Sequence, residues 1–246
     1  ANKGALARVR PDDLTAQVIR GLIQKAGVEP ADIEDVIVGC AFPEGEQGLN
    51  VARLIGLLAD LPISVGGMTV NRFCGSSMSA VQIAMGQIAI GAGEAFICAG
   101  VESMSRVPMM GFNPLPNPEL ANKSGASMSM GETAENVAAK YQIGRAEQEA
   151  FALESQKRAA AARDAGHFTD EIVPIQTKGG VVSEDGAIRA ETTAEGLAGL
   201  KPAFDAAGSV TAGTSSPVTD GAAAVLVTTE DYARAHGLPF LARIKS

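Results

Sequence analysis

Cys74 is the side chain in this sequence best placed to act as a nucleophile. It lies in the run NRFCGS at residues 71–76, where an apolar stretch typical of a strand gives way to a stretch typical of a helix. A thiol at a helix N-terminus faces unpaired backbone N–H groups and the positive end of the helix dipole, and both favour the reactive thiolate. The same N–H groups could hold a developing oxyanion. Position alone leaves two interpretations open, a nucleophile or one more inert cysteine.

The other side chains that could take part give this thiol no clear partner. Cys40 and Cys98 lie inside apolar runs, so we predict that both are buried and inert. The two histidines, His167 and His236, each follow the end of a predicted helix, a position typical of surface capping residues. Because a cysteine nucleophile normally needs a base, the residue types alone leave the site incomplete.

A second run that could contact a ligand is TAGTSSPVTDGAAA at residues 211–224. Its small hydroxyl residues and two glycines predict a loop that enters a strand. Such a loop is either an ordinary turn or a floor on which a ligand lies close to the backbone, and composition does not separate the two.

Strands and helices alternate along most of the chain. Apolar runs predict strands at residues 35–42, 68–71, 95–100, 222–228 and 240–244. Start and stop signals together with apolar spacing predict helices at residues 11–27, 50–59, 76–91, 133–141, 145–165 and 230–236. Near-continuous apolar strands that alternate with helices indicate an α/β fold with a mostly parallel sheet covered on both faces.

The helix after Cys74 belongs to a run, residues 76–93, that holds no charged side chain. The run approaches a membrane span in length. Its serines, glycines and two glutamines, Gln82 and Gln87, make it too polar for one, so we predict a helix buried at the centre of a large domain. Between residues 102 and 193 the pattern changes to Met- and Pro-rich loops and polar helices, which predicts an inserted domain.

Composition and charge exclude several functional classes. The chain of 246 residues has a formal net charge of −8 and no basic run, so nucleic acid is not an expected partner. Three cysteines are too few and too scattered for a disulfide framework or a metal cluster, and they suggest a reducing, cytoplasmic compartment. No signal peptide is visible, and we expect no membrane association.

Five motifs together resemble those of the thiolases, the acetyl-CoA acyltransferases. Besides NRFCGS they are GVESMS at 100–105, MGETAENVA at 130–138, KPAF at 201–204 and the run at 211–224. The resemblance covers essentially the whole chain. It implies a thiolase-like N-terminal half, formed by residues 1–101 and 194–246 around a mixed, mostly parallel sheet. It also implies that residues 102–193 form a loop domain that covers coenzyme A.

The resemblance also implies a mechanism. The cysteine matching Cys74 attacks the 3-keto carbon of a 3-ketoacyl-CoA, acetyl-CoA leaves, and free CoA then takes the acyl group from the cysteine. The condensing direction reverses these steps, and no metal or permanently bound cofactor is needed. In the family, the pantetheine of CoA lies against residues that match Met130, Ala203, Phe204, Ala212 and Ser216. A homodimer or homotetramer is the expected assembly.

The sequence departs from the thiolase pattern in ways that matter. This sequence has no match for the later half of a thiolase. That half holds the family's base histidine, its Asn-Glu-Ala-Phe segment and its second cysteine. The family's first strand also has no match in this sequence, and we expect its loss to leave a gap in the sheet. We therefore expect these 246 residues to be part of a longer polypeptide and to be inactive alone.

Three smaller differences bear on the substrate. Ser77 stands where many thiolases have Gly, Thr214 replaces a frequent Asn, and Ser129 occupies a place where short-chain biosynthetic members tend to have His. These differences favour a degradative enzyme with a broad range of chain lengths. Two alternatives remain, namely another condensing enzyme of the superfamily and a binding or dimerisation half without turnover.

Overall fold

The computed structural model describes residues 4–123 and 125–245. In chain order the helices and strands are α1 (Pro11–Ala26), β1 (Asp35–Gly39), α2 (Val51–Leu58), β2 (Gly66–Val70), α3 (Ser76–Ala89), β3 (Ala95–Ser103), α4 (Pro118–Lys123), α5 (Met130–Tyr141), α6 (Arg145–Asp164), β4 (Ile175–Thr177), β5 (Gly180–Val182), α7 (Ala194–Ala198), β6 (Asp220–Thr228) and α8 (Glu230–Ala235).

The main sheet has four strands in the order β2-β1-β3-β6. β1 is parallel to both β2 and β3, and β6 is antiparallel to β3. The predicted α/β fold with a mixed, mostly parallel sheet is therefore confirmed. The predicted gap is wrong for these strands, because β1 pairs directly with β3 from Asp35–Phe96 to Gly39–Gly100, and β3 pairs along the whole of β6.

Helices cover both faces of this sheet because side chains alternate along each strand. Val36 and Val38 of β1 point into a core that also contains residues of α1 and α2. Ile37 points to the opposite face, where Ala80 and Ala84 of α3 complete a second core. The strand that bears Cys98 thus lies between two aliphatic layers.

Helix α3 differs from its prediction. Ser76, Ser79, Ala80 and Ala84 are buried, but Met78 on the same helix is 60% exposed. The helix therefore buries one face rather than its whole circumference. Among the described residues, none of the helices combines the length and apolar character that crossing a membrane requires.

Two local predictions were wrong or incomplete. Residues 240–245 form no strand, and Phe240 and Leu241 are 56% and 90% exposed. An apolar run becomes a strand only where a neighbouring strand can receive its backbone hydrogen bonds, and this segment pairs with none of the described strands. The hairpin of β4 and β5 was missed because its strands are only three residues long.

The chain forms two compact units. The first contains residues 4–113, 173–183 and 219–245, and the second contains the described residues of 114–172 and 184–218. The second unit begins later than the predicted insertion at 102–193 and also includes residues 194–218. The hairpin belongs to the first unit because Ile175 packs against Leu14 and Val18 of α1. The role of the second unit as a CoA-covering domain stays a prediction.

Candidate active site

A tight turn connects β2 to α3 and carries Cys74. The Gly75 N–H donates to the Arg72 carbonyl, and the Ser76 N–H donates to the Phe73 carbonyl, each over 3.0 Å. The Ser76 hydroxyl accepts from the Arg72 N–H at 2.9 Å and donates to the Phe73 carbonyl at 2.5 Å. The turn is thus held by its own backbone and one serine. Because these two N–H groups are engaged, neither is free to hold an oxyanion. That a later N–H group at the start of α3 holds one stays a prediction.

Phe73, directly before Cys74, has a φ of 46°, in the left-handed region that bulky residues rarely occupy. The Asn71 side chain supports this conformation, since its Oδ1 accepts from the Phe73 N–H at 2.9 Å. Strained backbone of this kind persists only where the surroundings hold it, and it often accompanies functional residues. Sequence reasoning missed this role of Asn71. The signal was an asparagine two residues before a turn residue, a pattern typical of side-chain-to-backbone turns.

Two glycines let the start of α3 approach the sheet. A Cβ atom at Gly39 would lie 2.3 Å from the Ser77 backbone nitrogen, and one at Gly100 would lie 1.9 Å from the Ser77 hydroxyl. These glycines are paired neighbours at the carboxyl end of β1 and within β3. Their missing side chains bring the turn with Cys74 to the carboxyl ends of the parallel strands, where open α/β sheets generally bind ligands.

Cys74 is exposed and borders a cavity of about 720 Å³ within the first unit. The walls of this cavity are mostly apolar and come from the ends of β1 and β3, the start of α3, and β6. Aromatic and aliphatic side chains in them include Phe42, Phe73, Met78, Val81 and Val225. Residues 221–224 of the predicted ligand loop line the cavity as part of β6.

Cys40 and Cys98 behave as predicted, since they are only 1% and 3% exposed. Burial, reinforced by the charge of Glu102, raises the pKa of the Cys40 thiol to about 12. Burial, with a smaller contribution from Asp35, raises the pKa of the Cys98 thiol to about 12. Both thiols stay protonated at neutral pH, and Cys74 is the exposed thiol of the described residues.

The cavity walls contain no histidine among the described residues, and their carboxylate is Glu102. His236 is the C-cap of α8, as predicted, where its ring stacks on Tyr232 with centroids 4.0 Å apart. Its Nε2 lies 3.5 Å from the Asp32 carboxylate. His167 follows the end of α6, and its backbone N–H donates to the Ala162 carbonyl. Neither histidine lines the cavity, so the described residues supply Cys74 with no imidazole base there.

The five residues predicted to contact CoA all lie in the second unit, and all are exposed. Met130 begins α5 and is 75% exposed, while Phe204 is 50% exposed. The Phe204 ring lies directly on Gly131, where an added Cβ would come within 2.0 Å of it. The structure thus brings Met130, Ala203 and Phe204 into one neighbourhood.

The loop that carries Ala212 is tied to this neighbourhood by backbone contacts. The Ala203 N–H donates to the Val210 carbonyl at 2.9 Å, and Pro202 and Thr211 form an antiparallel bridge.

The Glu135 carboxylate of α5 accepts from the N–H groups of Ser209 and Val210, and these bonds lower the pKa of Glu135. Ala212 begins a single helical turn, and Ser216 follows it in irregular backbone.

Comparisons with known proteins identify the family. Residues 1–231 match the model of the thiolase N-terminal domain. The chain is 46% identical to a 3-ketoacyl-CoA thiolase of Bacillus subtilis over all of this chain and 66% of that protein. It is 45% identical to the 3-oxoadipyl-CoA/3-oxo-5,6-dehydrosuberyl-CoA thiolase of Escherichia coli over 98% of this chain and 66% of that protein.

A solved structure of human mitochondrial 3-ketoacyl-CoA thiolase in complex with CoA superposes with a TM-score of 0.86 and 32% identity. The match covers 97% of this chain and 64% of the human one. The chain therefore spans about two thirds of the length of the relatives it matches. With a family model matched over nearly its whole length and relatives at this level of identity, the chain belongs to the thiolase family, whose N-terminal domain it carries.

Proposed function

We propose that this protein is an acyltransferase that cleaves 3-ketoacyl-CoA by thiolysis, with Cys74 as the acyl acceptor. The observation that carries the proposal is the placement of the thiol. Cys74 is exposed in a strained turn at the start of α3 and at the carboxyl ends of parallel strands, whereas the other two cysteines are buried. Nucleophilic catalysis by cysteine requires an accessible thiol, and Cys74 is accessible at the start of α3.

The chemistry proceeds in two steps. The Cys74 thiolate attacks the 3-keto carbon, the bond between C2 and C3 breaks with its electron pair on C2, and protonation of that carbon releases acetyl-CoA. The thiolate of a second CoA then attacks the Cys74 thioester, which forms the shortened acyl-CoA and frees Cys74. Reversing these steps condenses two acyl-CoA molecules. Both directions need a group that exchanges protons with the thiol and with C2, and the described residues that line the cavity include no imidazole for that task.

We further propose that CoA binds the second unit through Met130, Ala203, Phe204, Ala212 and Ser216. The exposed ring of Phe204 and the exposed Met130 side chain offer apolar contact for the pantetheine chain. The human relative of similar fold was solved in complex with CoA, which supports this assignment. Substrates of broad chain length, a cytoplasmic location and a homodimeric or homotetrameric assembly complete the proposal.

A second candidate function is that of a binding or dimerisation half that does not turn over by itself. It is favoured by one observation, the lack of a histidine among the described residues that line the cavity. The two candidates differ in whether Cys74 becomes acylated.

The deciding experiment incubates the chain with acetyl-CoA, whose thioester can exchange with the Cys74 thiolate, releasing CoA, without cleavage of a carbon–carbon bond. The intact mass of the chain is followed, with Cys74→Ala as the matched control. We expect one acyl group to be added to the wild-type chain and none to the variant. An unmodified wild-type chain would leave only the binding function. Steady-state cleavage of a 3-ketoacyl-CoA chain-length series then tests turnover, and measurable turnover by the wild-type chain that Cys74→Ala matches would refute the assignment of the nucleophile.

A further inference from the structure

Glu102, near the end of β3, is a wall residue of the cavity whose carboxylate binds the segment that follows β1. Its Oε2 accepts from the Ala41 N–H at 2.8 Å, and its Oε1 accepts from the Phe42 N–H at 3.3 Å. Oε1 also accepts from the Gln47 amide at 2.8 Å. Hydrogen bonds to a charged acceptor are roughly twice as strong as neutral ones. The carboxylate therefore fixes the backbone at residues 41 and 42.

Gln47 joins Glu102 in holding residues 41 and 42, and we call this arrangement of Glu102 and Gln47 the anchor. Its side chain is fully buried, and its Nε2 also donates to the Phe42 carbonyl at 2.9 Å. Its Oε1 accepts from the Ser103 N–H at 2.6 Å, which links the anchor back to β3. Both carboxylate oxygens of Glu102 are thus occupied as acceptors, so Glu102 is suited to hold structure rather than to move a proton.

The anchored segment touches the turn of Cys74 at two points. The Ala41 carbonyl accepts from the Asn71 side-chain amide at 3.1 Å. The Phe42 ring lies against the Phe73 ring, with centroids 6.2 Å apart and a tilt of 52°. Asn71 is in turn the side chain whose Oδ1 holds the Phe73 N–H. An uninterrupted series of contacts therefore runs from Glu102 through Ala41 and Asn71 to the residue before Cys74.

We propose that Glu102 is a positioning residue for Cys74. By holding Ala41 it orients the Asn71 side chain, which keeps Phe73 in its left-handed conformation and the thiol at the start of α3. The inference deepens the proposed function and rests on it, because it assigns a residue to the orientation of the same nucleophile. Its effect on Cys74 passes through three residues, Ala41, Asn71 and Phe73.

The chain offers a matched control for this proposal. Asp220 of β6 is also a carboxylate at the end of the sheet with several donors, accepting from the Ser103 hydroxyl and from the N–H and hydroxyl of Ser105. None of these bonds involves residues 41, 42 or 71. A variant at Asp220 therefore disturbs a comparable network that meets the contacts of Glu102 only at Ser103, through the hydroxyl and not through the N–H that binds Gln47.

The test measures the rate at which iodoacetamide alkylates Cys74 in the native chain, followed by intact mass and peptide mapping. Glu102→Gln removes the charge and replaces one of the two acceptor oxygens by an NH2 group, which then faces either the Ala41 N–H or the Phe42 N–H. We expect this variant to slow alkylation roughly tenfold. Glu102→Asp keeps the charge and should restore part of the rate. Asp220→Asn should alkylate at the wild-type rate.

A second variant keeps the proposal testable if Glu102→Gln does not fold. Asn71→Asp keeps the acceptor for the Phe73 N–H but replaces the donor to the Ala41 carbonyl, at an exposed position. We expect the same slowing from this variant and no further slowing in the double variant with Glu102→Gln, because residues in one network are not additive. Hydrogen exchange of the peptide that contains Phe73 should accelerate in both single variants and not in Asp220→Asn.

Failure of this inference and failure of the proposed function give different results. If wild-type Cys74 reacts no faster than in the urea-unfolded chain, the proposed function loses its support. If wild-type Cys74 reacts fast and folded Glu102→Gln reacts equally fast, Glu102 does not position it. Slowing by Asp220→Asn as large as that by Glu102→Gln would also overturn the inference, because the effect would then be general to this edge of the sheet.

Discussion

The same side chain occupies two contrasting regions of this molecule. Cys98 lies in the middle of β3 and is 3% exposed, and its thiol donates to the Ala80 carbonyl of α3 at 3.4 Å. At the start of α3, Cys74 is exposed in a turn that includes a residue with positive φ. The strand is held by burial and by regular pairing, whereas the turn is held by a few specific hydrogen bonds. Reactivity thus depends on which kind of support surrounds the thiol.

The largest expected effect is the difference in alkylation rate between Cys74 and the two buried cysteines. The pKa values of Cys40 and Cys98 rise from 9.0 to about 12, so their thiolate fraction at neutral pH is about a thousandfold smaller than that of an ordinary thiol. Their burial lowers access further. We expect iodoacetamide at pH 7.5 to modify Cys74 at least about a thousandfold faster than either, as measured by peptide mapping.

Cys74→Ala is the control for this measurement, and it should leave the native chain almost unlabelled. Labelling of Cys98 at a rate near that of Cys74 would contradict the contrast between the two regions. It would mean that β3 opens on the time scale of the reaction.

The second effect concerns the contact that places the turn on the sheet. Gly39→Ala adds a Cβ 2.3 Å from the Ser77 backbone nitrogen, and backbone cannot rotate away as a side chain can. We expect a loss of about 2–3 kcal/mol in the free energy of unfolding, measured by urea titration. Gly100→Ala should cost less, because its nearest contact is the Ser77 hydroxyl, which can change rotamer. Equal losses of unfolding free energy in Gly39→Ala and Gly100→Ala would show that the start of α3 shifts as a whole.

Sequence patterns predicted the sheet better than the turn, for a physical reason. Apolar runs such as the one around Val36 and Val38 predict buried strands because burial and alternation are local properties of composition. The φ of Phe73 depends on Asn71 and on what holds Asn71, and neither is visible as periodicity. The position of Cys74 before a helix was predictable from local signals. Its cavity was not, because the walls come from segments as distant as Phe42 and Val225.

The third effect is an alkaline loss of stability caused by the two buried thiols. A group whose pKa is raised on folding contributes stability that is fully present below its unfolded value and is lost as pH rises toward the folded value. For Cys40 and Cys98 that window runs from 9.0 to about 12. Between pH 9 and 10 we expect each thiol to cost about 1 kcal/mol of unfolding free energy.

Cys98→Ala should therefore flatten the dependence of stability on pH in this interval by about half. Tyr232 adds a smaller loss near the upper end of this interval, since its ordinary pKa is 10.0 and burial with Asp32 raises it to about 12. An unchanged slope in Cys98→Ala would mean that the thiol is hydrated in the folded chain.

The smallest effect tests whether the exposed face of α3 has any partner within this chain. Gly86 lies in the helix interior, and a Cβ added there would meet nothing within 4 Å. Alanine restricts the unfolded chain and favours the helix, so Gly86→Ala should stabilise the protein by about 0.5–1 kcal/mol in urea titration. It is the counterpart of Gly39→Ala, because one variant adds a methyl group against the buried start of α3 and the other adds it at an exposed position of the same helix. Destabilisation by Gly86→Ala would show that this face packs closely against something in solution, and the simple contrast between a buried and an open side of α3 would then fail.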